Sequence, residues 1–305
     1  MTLLSYTGMP LLRSIRNLLP LSILIAVSLH SITAQAQTID NPTQDSYSLY
    51  QRTLAQQRKA PLLPYIREDD VVWEHCLWRT IDLREKFNQY MYFPVEAAGA
   101  HGRKCLARVI WDAVVANEIP IYEDDEFKIP IDNDLFVARY TKTDTVILEI
   151  ADEDENYEYQ TVLVPKEFNS EDILQIKLKE VWYIDKTTSR QHVRMIGLAL
   201  CRDYYKEVEN DRMFMGTITL FWVPLQSADV RTTLIRNEAY YEDNIAHLPT
   251  WLHIFDLRMY ESFITRESNR FNRTISSYLT GVDAMLESQR IEIKLLNISE
   301  DMWEY

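Results

Sequence analysis

The sequence predicts an α+β fold, an antiparallel sheet meander with helices and a C-terminal helical segment, and three observations predict it. Residues 174–185 and 192–202 alternate as strands do, and the polar residues Lys186, Thr187, Thr188, Ser189 and Arg190 between them close a hairpin. A third apolar run, 213–223, follows closely and suits a buried third strand. Beyond Ser227 the periodicity becomes helical, and a run of strands followed by a run of helices implies α+β rather than alternating βα units.

Taken in order, residues 1–36 predict a signal peptide. Arg13 and Arg16 precede an apolar run over 18–29, no acid occurs before Asp40, and Ala34, Gln35 and Ala36 supply a small-x-small cleavage site. The run is about 12 residues and contains Pro20, whereas a membrane span needs roughly 20, so export with removal is expected instead of an anchor. No cysteine stands at the cleavage point, which leaves no lipid attachment and no direct membrane insertion. Residues 37–66 read as an extended N-terminal arm rich in Gln, Thr and Ser. Residues 67–165 form an N-terminal α+β lobe. In it Asp69 caps a short helix through Cys76, 77–84 is a strand, 102–118 is a helix, and short strands follow at 135–140, 145–150 and 157–164. Residues 166–305 form the C-terminal lobe, holding the meander, a helix capped by Ser227, and helix from Pro249 to the end. There Ile275, Tyr278, Leu279, Val282, Met285 and Leu286 make one apolar stripe, and Gly281 marks a kink or a close helix contact.

The 305 residues carry 32 basic and 46 acidic side chains, a formal charge of −14, and the signal segment removes only positive charge, so nucleic acid is excluded as a partner. With 47% apolar residues, 7 Trp and 18 Tyr, the chain has ample material for a core and aromatic side chains to spare for interfaces. Cys76, Cys105 and Cys201 are an odd number in a disulfide-permitting compartment. They can remain buried thiols, form one internal bridge, or leave one thiol to crosslink another subunit.

Catalytic signatures are missing. Gly-x-Ser-x-Gly, His-Glu-x-x-His and phosphate-loop patterns do not occur, and six glycines leave little for phosphate-cradling loops. His75, His101, His192, His247 and His253 lack metal-ligand spacing. The acidic run 152–158 fails as a helix-loop-helix calcium site because Tyr157 stands where glycine is needed and Leu163 where a bidentate acid is needed. No cofactor or metal is expected. Glu180 and Asp185 are the carboxylates to name for an exported glycan- or peptidoglycan-acting enzyme, and alternation places them on opposite strand faces. A free-standing ligand-binding module is the other alternative.

Several segments carry a family resemblance: Asp69 to Trp73; residues 78–86, Trp-Arg-Thr-Ile-Asp-Leu-Arg-Glu-Lys; Tyr92, Phe93 and Pro94; residues 179–186, Lys-Glu-Val-Trp-Tyr-Ile-Asp-Lys; and residues 194–198, Arg-Met-Ile-Gly-Leu. Phe221 and Trp222, residues 256–264, Glu267 to Asn269 and the closing residues 300–305 continue it. In their order and spacing they resemble the GldN/PorN family, periplasmic ring subunits of the type IX protein secretion and gliding motility machinery of Bacteroidetes. The resemblance implies a non-enzymatic, structural role. It implies self-assembly within a ring, docking to an outer-membrane lipoprotein, and contact with the periplasmic domain of an inner-membrane motor subunit. The implied location is the periplasm, peripheral to the outer membrane through a partner. Interfaces of that kind draw their energy from a few Trp, Tyr and Arg anchors. Trp303 and Tyr305, at a terminus that would otherwise fray, are expected to serve docking, and Tyr240, Tyr241 and Trp251 are further interface candidates. Trp182 and Trp222, on central strands, are expected in the core. Arg79, Arg84 and Arg258 hold internal carboxylates or recognise a partner.

Overall fold

A computed structural model describes residues 57–302, apart from residues 101, 142, 152–156, 166–167, 209–210 and 242–247. The predicted signal peptide, the arm as far as residue 56, the acidic run at 152–156, His101, His247, Trp303 and Tyr305 lie outside the described residues.

Nine strands and six helices are described. A 3-10 turn at Glu68–Asp70 leads directly into β1 (Val71–Asp82). The helix expected from Asp69 is therefore not formed. Val71, Val72 and Trp73 favour a pleated backbone, and their exposure alternates along a strand that hydrogen-bonds to a neighbour. Helix α1 (Gln89–Tyr92) follows, then α2 (Leu106–Val115), which starts four residues later than predicted because Gly102, at φ +73°, turns the chain and Cys105 is the cap. The short strands β2 (Ile121–Tyr122) and β3 (Pro130–Ile131) precede α3 (Asn133–Tyr140), where a strand was expected. Asp132 decides it: its carboxylate accepts hydrogen bonds from the amides of Asp134 (3.0 Å) and Leu135 (3.2 Å), an N-cap that outweighs the β-preference of Phe136 and Val137.

β4 (Thr143–Ala151) and β5 (Tyr157–Pro165) form where strands were expected, and they pair with each other as a separate two-stranded sheet. The meander follows as β6 (Ile173–Asp185), β7 (Arg190–Val208) and β8 (Asp211–Pro224), all antiparallel. After α4 (Ala228–Arg236) and α5 (Trp251–Asp256) the chain does not stay helical. Arg258 adopts φ +54°, and Phe263, Ile264 and Thr265 open into β9 (Phe263–Glu267), which fills the vacant edge of β1. Only then does α6 (Val282–Asp301) begin. Gly281, at φ +61°, precedes its first residue and kinks nothing.

The large sheet runs β3-β2-β8-β7-β6-β1-β9. It draws strands from both predicted lobes, and the described residues fall in one compact unit. Directly paired residues share a sheet face, so Leu77 with Glu180, Arg79 with Leu178, and Ile81 with Ile176 all point the same way. That face carries two hydrophobic clusters side by side. The larger joins Ile81, Ile176, Leu178, Leu200 and Phe221 to α2, α4 and α5, and the smaller joins Leu77 and Ile264 to Ile275, Ile291 and Leu295 beneath α6.

Gly197, which pairs with Lys179, lies on the opposite face under the ring of Phe127. A methyl group there would press into Phe127 Cζ well inside ordinary contact, and that ring is held edge-on by Tyr122 at 5.4 Å. Gly197→Ala is accordingly expected to destabilise by about 1–3 kcal/mol, the usual cost of overpacking, and thermal unfolding of the variant checks it.

Candidate docking surfaces

The carboxylate expected to be the best candidate for chemistry is spent on structure. Glu180 is completely buried, at the seam between the two hydrophobic clusters. Arg258 donates to it at 3.0 Å, Arg79 pairs with it at 3.4 Å, and the Trp182 indole and the Tyr260 hydroxyl each donate at 3.2 Å. Burial and the adjacent Glu180 charge push the Tyr260 hydroxyl well above its ordinary pKa, so it stays a donor. Arg79, itself 3% exposed, extends the network to Ser262 (3.3 Å) and to Glu292 on α6 (2.9 Å), while Arg258 lies over the Trp182 ring at 5.2 Å. Of the two roles open to Arg79 and Arg258, the internal one is what the geometry realises. Arg84, whose side chain is 54% exposed, makes a local surface pair with Asp82 at 2.5 Å.

Asp185 sits at the far end of β6, where hydrogen bonds from Thr187 hold its carboxyl below the usual range. It does not converge with Glu180. His75 pairs with Glu267 at 3.1 Å and with Ser268, and His192 with Thr188, so both imidazoles have local partners. Among the described residues no group of His, Cys, Asp and Glu is arranged to hold a metal ion.

The aromatic candidates divide. Trp251 is completely buried, its ring 6.4 Å from that of Tyr90 and nearly parallel to it, so it is a core residue and not an interface anchor. Its position explains the correction: α5 is a six-residue helix whose Trp251, Leu252, Ile254 and Phe255 all face inward. Tyr241 is partly buried edge-on against Tyr90 at 4.8 Å. Tyr240 remains 38% exposed beside the Arg103 guanidinium. Trp222 is buried, as expected, and Trp182 is half-buried in the ionic seam.

All three cysteines are free thiols. Cys105 and Cys201 are fully buried, which removes them as crosslinks to another subunit. Cys76 is half-buried on β1, where burial raises its pKa and lowers its thiolate fraction. It is the one of the three whose position leaves any access.

Two apolar surfaces were not predicted. β6 pairs with β7 only as far as Arg202, and β2 meets β8 only at Trp222. The intervening lengths of β7 and β8 therefore continue as a two-stranded ribbon beyond the sheet. Tyr204, Tyr205, Met213, Phe214, Met215 and Ile218 on this ribbon are 43–59% exposed, with Tyr205 and Phe214 packed as a cross-strand pair at 5.7 Å. The run expected to be a buried third strand is buried only from Phe221 on. Its apolar composition cannot distinguish a core from an uncovered interface.

The second surface is on α6. The predicted single stripe is split: Ile275, Tyr278 and Leu279 precede α6 and pack in the smaller cluster, whereas Val282, Met285 and Leu286 on α6 face outward together with Ile293 and Leu296, and Ser288, Ile291 and Leu295 make the helix's buried face. Contiguous apolar exposure of this kind marks interaction sites in soluble chains, and Met and aromatic side chains are the types enriched there. No helix among the described residues is long and apolar enough to cross a membrane. Residues 66–304 match the family model of the gliding motility associated protein GldN. No curated protein matches the chain.

Proposed function

The chain belongs to the GldN family of gliding motility associated proteins, and on that premise we propose that it is a non-enzymatic structural subunit of a periplasmic ring in the type IX secretion and gliding machinery. It assembles with further copies of itself, docks to an outer-membrane lipoprotein, and meets the periplasmic part of an inner-membrane motor subunit. It is held at the outer membrane through that lipoprotein.

The observation that carries this reading is the exposed ribbon of β7 and β8. A soluble monomer seldom leaves six large apolar side chains on a two-stranded ribbon, because such an edge invites association. A ring subunit needs such surface: stable interfaces bury roughly 800 Å² per partner, and half-exposed Tyr, Phe and Met side chains supply it where polar side chains would not. Trp303 and Tyr305, which follow α6 in the sequence, are proposed as further anchors, with Tyr240 as a third.

The test is affinity isolation of the tagged chain from gently solubilised envelopes, with mass spectrometry and non-reducing gels on the eluate. Recovery of an outer-membrane lipoprotein within a large particle supports the reading. Recovery of a lone soluble monomer overturns it and turns attention to bound ligand or hydrolytic activity. A reducible heavier band would assign the crosslink to Cys76. In the same assay a Phe214→Ser/Met215→Ser variant is expected to lose co-isolation at least tenfold while its melting temperature stays within about 2 °C of the parent, since surface substitutions usually shift stability by under ~0.5 kcal/mol.

A further inference from the structure

We propose that the groove between β9 and α6 is a docking site for a short extended segment of a partner protein that presents a lysine or arginine next to an apolar residue. The groove encloses about 470 Å³. Buried Ile264 and Ile275 form its floor, and Phe263 and Met285 stand at its sides, 43% and 66% exposed, without closing over it. Its rim carries Glu85, Glu261 and Glu292, and no lysine or arginine lines it. Glu292 is paired with Arg79 at 2.9 Å, so Glu85 and Glu261 are the rim carboxylates that an incoming cation would meet. An apolar floor beside the Glu85 and Glu261 carboxylates complements a side chain with an aliphatic stem and a cationic head, the form of lysine and arginine.

Two further features narrow the occupant. The lining residues of α6 run from Ala284 to Glu292, about 12 Å of helix, which matches roughly four residues of extended chain at ~3.3 Å each. The outward amide of Ile264 is already satisfied by Ser288 Oγ at 2.9 Å, so the incoming segment cannot add as a regular strand there and is recognised through its side chains. A second copy of this chain, with a formal charge of −14, is a poor electrostatic match for that rim. Burial together with the neighbouring Asp82 and Glu261 raises the Glu85 pKa.

The biological setting rests on the docking role proposed above, but the test needs only the purified exported chain, so failure here and failure of co-isolation are separate results. Fluorescein-labelled Lys-Leu-Arg-Leu and Gln-Leu-Gln-Leu peptides are titrated by anisotropy, with hydrogen exchange recorded on the complex. The basic peptide is expected to bind at least tenfold more tightly than the neutral one, and to weaken as salt rises. Exchange is expected to slow at 262–265 and 284–292. Glu85→Gln/Glu261→Gln is expected to remove that preference without lowering the melting temperature, and Met285→Ser to weaken both peptides. Equal affinity for the two peptides, no saturable binding, an unchanged preference in the double variant, or protection elsewhere would each overturn the assignment.

Discussion

Glu180→Ala is expected to lower the stability of the chain by about 3–5 kcal/mol, because removing the one fully buried carboxylate of the network leaves two guanidinium groups short of their shared counter-charge. The group most affected is Arg79, 3% exposed and fixed by the main-chain pairing of β1 with β6, which loses its buried carboxylate and keeps only Glu292 and Ser262 at its outer end. Arg258 is less confined, with its side chain 28% exposed, and can be rehydrated. The Tyr260 hydroxyl also loses its carboxylate acceptor. At roughly 2–4 °C per kcal/mol for a chain of this size, the melting temperature should fall by about 10 °C.

A second variant separates the charge from the packing. Arg79→Met/Glu180→Leu removes both buried charges and keeps apolar volume in the seam, and it should be clearly more stable than Glu180→Ala, since replacing a buried pair costs less than breaking it. Part of the loss should persist, because Tyr260 and Glu292 still lack their partners and an unmatched buried hydroxyl costs about 1–3 kcal/mol. A fall of less than about 1 kcal/mol for Glu180→Ala would mean that the network does not hold the two clusters together.

How much of this was legible follows from what each signal depends on. The hairpin of β6 and β7 and the helix after Ser227 were legible because alternation, a polar turn and a helix start are local properties. β1 was misread at its start and α3 altogether, although Asp132 carried the signal that settles α3. β9 was not legible, since five residues become a strand only because β1 has a free edge to receive them. Of the expected apolar stripe only Val282, Met285 and Leu286 lie on α6, and periodicity reports that a face is apolar and not whether anything covers it. The same limit hid the exposed ribbon of β7 and β8. Glu180, Arg79 and Arg258 were each singled out separately. Their convergence is a tertiary event across 180 residues of chain, and nothing in the local sequence joins them.

Trp251 provides the sharpest separation of core from interface. Trp251→Ala is expected to cost about 3–5 kcal/mol, as large-to-small changes in packed cores do, because the ring is wholly enclosed, stacked on Tyr90 and part of the larger cluster. Trp251→Phe should cost under about 1.5 kcal/mol, since it keeps an aromatic ring in the same space. It also removes an indole N–H that has no hydrogen-bond partner among the described residues. Tyr240→Ala, at an exposed site, should change stability by less than about 0.5 kcal/mol and show its effect, if Tyr240 is an anchor, only as lost co-isolation. Thermal unfolding and envelope co-isolation measured on the same three variants distinguish the two roles. An unchanged melting temperature with lost co-isolation for Trp251→Ala would return that residue to the interface, and would require α5 to swing away from the sheet when the chain assembles.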